Sequence, residues 1–426
     1  MTPPLCRKTI ATTSPSYAPF EYLPPEDVEP PERYGPGGYH PISIGDRLSN
    51  RYNVVHKLGF GTYSTIWLAR DLKRAKYVAV KVGIAEADMS ETASEILHTL
   101  ALSAPEPADQ EEQAAGTLIP RLLDTFSLDG PNGRHRCLVT ELGMMTMADA
   151  KDVSYNRPFS MPVARKIAAQ VIQAVAFLHR RGVVHADLHA GNIMFHLPPS
   201  ITIYPLSPEE LYRQHSPPDL EPFERIDGKP IPDGVPTHGV IPLWLGKRSD
   251  LVTLPEAKIF ITDFGSSFLP SAYFLRHEPL PFPSDIWTLA CTLWEVLGQR
   301  TLFKGFAPSR DWMVKEHVEA LGMLPSDWWR GWEARGNWFT EDAERKSEGE
   351  GWGVSRSLDT RFEHSILKPR REGAVEGIGE AETSALFNMF RGMLAFRPSE
   401  RLTAAEIVES EWMQRWALPE LGKGDA

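Results

Sequence analysis

Tyr52, Val54 and His56 alternate with Asn53, Val55 and Lys57, the two-residue period of a β-strand. The run continues through Leu58-Gly59-Phe60-Gly61-Thr62-Tyr63-Ser64-Thr65-Ile66-Trp67-Leu68-Ala69. Two glycines followed by a β-rich return predict a hairpin whose bare backbone can approach phosphate groups. No helical period opens at the glycines, which argues against a dinucleotide-binding βαβ unit. Tyr77-Val78-Ala79-Val80-Lys81-Val82 predicts an apolar strand interrupted by one lysine. An inward-facing lysine needs a paired charge. The helix predicted around Glu91–Leu97 offers Glu95 first, beside the stripe of Ile96 and Leu100, and Glu91 second. Residues 103–116 read as an acidic loop. Cys137 to Gly143 reads as another strand, ending in a connector to a second domain.

The period then becomes helical. Val163, Ile167, Val171, Val175 and Leu178 lie on one face of a helix from Ser160 to Arg181. Ser160 suits its cap, Pro162 its first turn and Gly182 its end. Lys258 to Ile261 predicts a strand running into Asp263-Phe264-Gly265. A helix capped by Ser284 runs from Asp285 to about Leu297 and is apolar on most sides, as a core helix would be. The tryptophans of residues 300–340 read as packing. Closing helices are expected around Leu386–Leu394 and Thr403–Trp412, with Thr403 and Glu406 at capping-box spacing. Three stretches lack a period. Residues 1–40 are Pro-rich and read as a flexible arm, 197–257 as a spacer insertion, and 341–380 as a charged loop.

Composition narrows the functional classes. The 426 residues are 42% hydrophobic and 24% charged, enough for a two-domain globular protein. A net charge of −11 argues against a general nucleic-acid binder and suits cationic partners. Cys6, Cys137 and Cys291 have neither metal-ligand nor disulfide spacing, so a reducing compartment is expected. Neither a secretory signal nor a membrane-crossing apolar run is evident.

The chemistry concentrates in His185-Ala186-Asp187-Leu188-His189-Ala190-Gly191-Asn192, between the long helix and the short run Ile193-Met194-Phe195. An acid and an amide five residues apart on a tight loop suit phosphoryl transfer. The acid orients a hydroxyl and accepts its proton, and the amide helps hold a metal ion on the phosphates. Asp263, at a strand end, suits the same metal.

In this order, glycine hairpin, strand lysine, helix glutamate, Asp/Asn loop, Asp-Phe-Gly and Asp285-Ile286-Trp287 resemble the eukaryotic protein kinases over about residues 50–416. Within them, Gly37-Gly38-Tyr39-His40-Pro41, Gly45-Asp46, Arg51-Tyr52 and the hairpin with Ser64 at its third glycine position are similar to the SR-protein-kinase family, particularly its fungal members. That family also carries a spacer where 197–257 lies. Phe396-Arg397-Pro398-Ser399-Glu400-Arg401-Leu402-Thr403 resembles the closing segment of kinases generally.

The resemblance implies an α+β, bilobal fold. The small β-rich N-lobe would span 41–142, the larger helical C-lobe 143–416 and a tail 417–426. It implies ATP and Mg²⁺ as cofactors. Gly59, Gly61 and Ser64 would cover the phosphates, with Leu58, Ile66 and Ala79 also at nucleotide-binding positions. Glu141 and Leu142 would form the hinge after gatekeeper Thr140. Lys81 would contact phosphates and pair with Glu95, Asp187 would be the base, and Asn192 and Asp263 would bind Mg²⁺. His185 and Phe264 would be structural. The implied activity is serine/threonine phosphorylation of Arg/Ser-rich proteins such as splicing factors. The implied setting is a monomer in cytoplasm or nucleus, without direct nucleic-acid or membrane binding.

Three positions depart from the pattern. Ala186 replaces the arginine that usually receives a phosphorylated activation loop, and His189 replaces a lysine near the γ-phosphate. The interval 264–284 is short for an activation segment, with Glu278 the nearest candidate for the element that would partner Arg401. Two other classes follow: an ATP-binding scaffold without turnover, and a small-molecule phosphotransferase, since His185–Asn192 also resembles the loop of aminoglycoside- and choline-kinase-like enzymes.

Overall fold

A computed structural model describes residues 21–423 except 87–88, 103–109, 156, 199–205, 270–281, 304–308, 347–356 and 374. The N-terminal half is built on an antiparallel sheet. Strands β1 (Arg47–Leu48), β2 (Tyr52–Gly61), β3 (Ser64–Asp71), β4 (Lys76–Gly83), β5 (Leu122–Gly130) and β6 (Gly133–Thr140) lie in the order β1-β2-β3-β4-β6-β5. The expected β2–β3 hairpin is present, and it pairs Gly61 with Ser64 and Gly59 with Ile66. Alternation splits the sheet into two faces. Val54, Trp67, Val78, Val80, Val82, Cys137 and Val139 form one buried cluster. Leu68 belongs to the C-terminal core, against which Leu58 and Ala79 also pack. Helix α1 (Met89–Leu102) packs on the sheet, and α2 (Gln110–Gly116) follows it. Residues 110–116 were expected in a loop but form a helix whose Ala115 is buried in one cluster with α1 residues and Phe177.

The C-terminal half is helical around α4 (Met161–Arg180), which follows the short α3 (Met147–Asp152). Nearly all of its apolar side chains are buried. At 20 residues α4 is long and apolar enough to cross a bilayer by length and composition, but 83% of that window is buried inside the protein. Ser160 holds the N-cap position without a side-chain bond, and Gly182 ends the helix at φ +70°. A small sheet runs β11-β8-β7, from β7 (Gly143–Thr146), β8 (Ile193–His196) and β11 (Ile259–Ile261). The predicted core helix is present as α6 (Phe282–Leu297). Trp329, Trp332 and Phe339 pack with Val318 and Leu324, so these aromatics are core. Thr403 and Glu406 form the expected capping box.

The described parts of the three aperiodic stretches are better ordered than their composition suggests. The described part of the arm is not a free tail, because Tyr22, Val28, Tyr34 and Tyr39 are buried with Phe223 of the supposed spacer. Within residues 206–257 lie α5 (Pro208–His215) and the hairpin of β9 (Leu220–Pro222) with β10 (His238–Val240). Val240 completes the buried face of the large sheet, Tyr212 Oη donates to the Val55 carbonyl (2.7 Å), and the Leu243 amide donates to the Lys57 carbonyl (2.8 Å). This stretch is a strap between the two halves rather than a spacer. Likewise 358–372 is helical within the expected charged loop, with Leu358, Phe362 and Ile366 in the core. Each segment buries single apolar residues from mostly short elements, which leaves little periodic signal.

Candidate active site

Strand β4 carries Lys81 opposite Ile66 of β3. Its Nζ lies 2.7 Å from Asp263 Oδ1. Asp263 follows β11 in a left-handed conformation (φ 62°), and its Oδ1 accepts from the Gly265 amide at 3.3 Å. Burial raises the Asp263 carboxyl pKa, but the Lys81 ammonium outweighs it and holds the group below the usual carboxylate range. Ile261 of β11 pairs with Ile193 of β8, and the Thr262 amide donates to the Asn192 carbonyl (2.8 Å). The two strand ends therefore bring Asp263 and Asn192 together.

Asn192 is buried, and its Nδ2 donates to the Asp187 carbonyl (2.8 Å) and to Asp187 Oδ2 (3.3 Å). Its Oδ1, an acceptor, is with the Asp263 carboxylate an oxygen ligand of the kind small hard cations take. No cage of three or more His, Cys, Asp or Glu occurs among the described residues, so any metal here would rely on few protein ligands. His189 Nδ1 accepts from the Gly191 amide (3.1 Å), which leaves the proton on Nε2, 3.9 Å from Asp187 Oδ1.

The loop is held from beneath by a residue whose role its sequence position did not reveal. Asp285, at 0% exposure near the start of α6, accepts from the amides of His185 (2.8 Å) and Ala186 (2.9 Å) and lies 3.1 Å from His179 Nε2. Ala186 has φ 65°, a strained conformation for a residue with a Cβ. The adjacent amides are thereby turned onto one carboxylate. The signal in the sequence was an acid at the start of an otherwise apolar helix.

His185 Nε2 donates to the Thr262 carbonyl (3.0 Å) and its Nδ1 accepts from the Asp187 amide (3.3 Å). Burial lowers its pKa and keeps it neutral. Its ring meets Phe264 edge-on at 5.1 Å, and Phe264 packs under Ile96, Leu97 and Leu100 of α1. Both residues are structural, as expected. After Asp263-Phe264-Gly265, Ser267 Oγ donates to the His185 carbonyl (3.0 Å) and Phe268 bridges to Val184.

One expected contact is not formed. Glu95 is exposed and its side chain makes no ion pair with Lys81, which bonds Asp263 instead. Helix α1 turns Ala93, Ile96, Leu97 and Leu100 inward, leaving position 95 on the outward face. The side chain of the runner-up, Glu91, lies outside the described residues, as does Glu278. Arg401 donates to the carbonyls of Pro283 (2.7 Å), Ala395 (2.8 Å) and Phe396 (3.2 Å) and lies over Trp287, so carbonyls satisfy this cation.

The remaining positions lie on β2, β3, β4 and the segment joining β6 to β7. A Cβ at Gly59 or Gly61 would meet no protein atom within 4 Å, leaving room for a ligand. Ser64 is buried beside Gly61 and Gly83 rather than open at the tip. Thr140 ends β6, and Glu141 and Leu142 connect it to β7. Glu141 pairs with Arg121 at 3.1 Å, while Leu142 is buried. Leu58 and Ala79 pack against the same cluster as Leu142. Burial pushes the Cys137 and Cys291 thiols up to about 12, which disfavours the thiolate.

Residues 52–204 match the family described as protein kinase domain. SRSF protein kinase 3 of Homo sapiens is 35% identical over 172 residues, 40% of this chain and 30% of that protein. Serine/threonine-protein kinase spk-1 of Caenorhabditis elegans is 34% identical over 171 residues, 40% of this chain and 17% of that protein. The match thus spans less than a third of either relative. A serine/threonine protein kinase of Aspergillus fumigatus is 24% identical over 397 residues, 88% of each chain.

Proposed function

We propose that this chain, which carries a protein kinase domain over residues 52–204, transfers the γ-phosphoryl group of ATP to serine in Arg/Ser-rich proteins. The observation that carries the reading is the run of contacts that joins Lys81 of β4, Asp187 and Asn192 of the one loop, and Asp263 after β11. In the reaction the serine oxygen bonds to the γ-phosphorus as the bond to the bridging β–γ oxygen breaks, and ADP leaves. Asp187 orients the hydroxyl and takes its proton. Lys81 turns from Asp263 to the α- and β-phosphates. Gly59 and Gly61 let the hairpin backbone approach the phosphates, with buried Ser64 bracing its return. Leu58, Ile66, Ala79 and the Glu141–Leu142 connector hold the adenine. Asn192 and Asp263 would hold Mg²⁺, which would supply charge neutralisation on the phosphates. His189 presents its Nε2 proton beside Asp187 as a hydrogen-bond donor.

The substrate class is supported by the relatives named SRSF protein kinase and by the net charge of −11, which suits basic peptides. We place the protein as a monomer in cytoplasm or nucleus. A second reading, ATP binding without transfer, is favoured by solvent-facing Glu95, by Lys81 bonded to Asp263 and by the short interval 264–284. Incubation with labelled ATP, Mg²⁺ and either an Arg-Ser repeat peptide or a panel of aminoglycosides and choline separates the classes. Peptide labelling supports the first. Nucleotide binding with no labelling supports the second, and metabolite labelling alone a small-molecule phosphotransferase.

A further inference from the structure

The arm that the sequence marks as a loose tail touches the tip of the glycine hairpin. Tyr39, 2% exposed, donates its hydroxyl proton to the Gly61 carbonyl at 2.6 Å. The Arg33 guanidinium donates to the next carbonyl, Thr62, and lies over the Tyr39 ring with Cζ 5.1 Å from its centroid. Both acceptors lie at the tip where β2 turns into β3, beside the open space at Gly59 and Gly61.

The arm is itself firmly seated. Glu29 pairs with Lys57 of β2, accepts the Tyr34 hydroxyl, and is buried like both partners. The Gly37 amide donates to the Asn132 carbonyl (2.8 Å), and its carbonyl accepts from the Glu86 amide (2.9 Å). Asn132 Nδ2 bridges the Tyr39 and Gly234 carbonyls at 2.7 and 2.8 Å, joining arm, sheet and strap. A Cβ at Gly38 would lie 2.0 Å from the Arg33 carbonyl oxygen, so this turn requires glycine. Gly37-Gly38-Tyr39 therefore delivers the tyrosine to the hairpin with little freedom.

We propose that Arg33 and Tyr39 are positioning residues for the nucleotide, holding the hairpin tip at a fixed height over the phosphates through its Gly61 and Thr62 carbonyls. This rests on the reading of the hairpin as a nucleotide cover. A hairpin fixed before binding loses less freedom when the nucleotide arrives, so the arm raises affinity. Neither side chain reaches Asp187, so the effect falls on nucleotide binding rather than on the chemical step.

The test uses Tyr39→Phe, which removes one hydroxyl and keeps the ring, and Arg33→Ala, with Arg33→Lys as the conservative variant. Amide hydrogen exchange over residues 60–65 and the Kd for Mg-ATP are measured on the full chain, alongside kcat. The expected result is faster exchange confined to the hairpin and a Kd raised about fivefold in Tyr39→Phe and Arg33→Ala, the scale of one lost hydrogen bond. kcat stays within about twofold, and Arg33→Lys restores part of the affinity. Unchanged hairpin exchange, or faster exchange with unchanged Kd, overturns the proposal. A wild-type protein that binds no Mg-ATP at all refutes the nucleotide reading, and the arm's role as a nucleotide positioner with it. Normal wild-type binding with unaffected variants refutes the arm's role alone.

Discussion

Replacing Asp285 with asparagine should unfold the catalytic loop before it unfolds anything else. The carboxylate is fully buried and serves the His185 and Ala186 amides at 2.8 and 2.9 Å, with His179 Nε2 at 3.1 Å. Asparagine keeps one oxygen and puts an NH₂ where the second stood, so one amide donor faces another donor. Loss of a bond to a charged group costs about 1.5–3 kcal/mol, and the stranded N–H adds about 1–3 kcal/mol. Ala186, at φ 65°, then lacks the contact that offsets its strain of about 1–2 kcal/mol and can relax. Part of the penalty is thereby relieved at the expense of the loop's shape. After that relief the net expectation is a loss of about 3–5 kcal/mol, from the lost charge-assisted bond and the stranded N–H together. Urea unfolding with matched m-values reads the loss, and amide exchange across residues 185–187 shows whether the loop opens first. A variant within about 1 kcal/mol of wild type with unchanged loop exchange would refute the assignment.

Other expectations follow from the same contacts. Lys57→Met leaves Glu29 buried without its cation and should cost about 3–5 kcal/mol, whereas Lys57→Met with Glu29→Gln should recover much of it; an equal loss in both, by chemical denaturation, would contradict the buried pair. Removing residues 206–257 should lower the melting temperature sharply, because Val240 leaves the sheet and Phe223 leaves the arm; an unchanged melting temperature would restore the spacer reading. Because the folded Asp263 carboxyl is held below its ordinary range, its contribution to stability is present above its unfolded pKa and is lost as pH falls through the lowered folded value. Asp263→Asn should therefore flatten the acid limb of a melting-temperature profile taken between about pH 2 and pH 6, and a limb of unchanged slope would show that the Lys81 bond does not persist in solution.

The parts of this protein that speak in the sequence are those with a period or a motif. The β2–β3 alternation, the buried face of α4, the Asp/Asn loop and the Thr403–Glu406 cap could all be read locally, because each is fixed by neighbours within a few positions. The arm and strap could not. Tyr34, Val28 and Phe223 meet across nearly two hundred residues, and Glu29 and Lys57 pair from segments with no shared pattern. Pro-rich composition suggested a chain unable to bury a core, but the arm needs only a few anchors on an existing sheet. The Lys81 partner failed for a different reason. Helical period placed Glu95 beside an apolar stripe, and the rotation of α1 over Phe264 then decided which side of the helix faces Lys81. That rotation is a tertiary choice. The role of Asp285 was half legible, since an acid opening an apolar helix stands out in the sequence while its partners lie about a hundred positions earlier.

In the proposed reaction Asp187 works with Lys81, Asn192 and Asp263 to pass phosphate to a serine. Its most direct measurement is γ-phosphoryl transfer from ATP to an Arg-Ser repeat peptide by the full chain with Mg²⁺, beside Asp187→Asn. Loss of the base should reduce transfer by at least about a hundredfold while the variant still binds Mg-ATP and melts as the wild type does. Equal transfer by both proteins, or none by the wild type despite nucleotide binding, would contradict it.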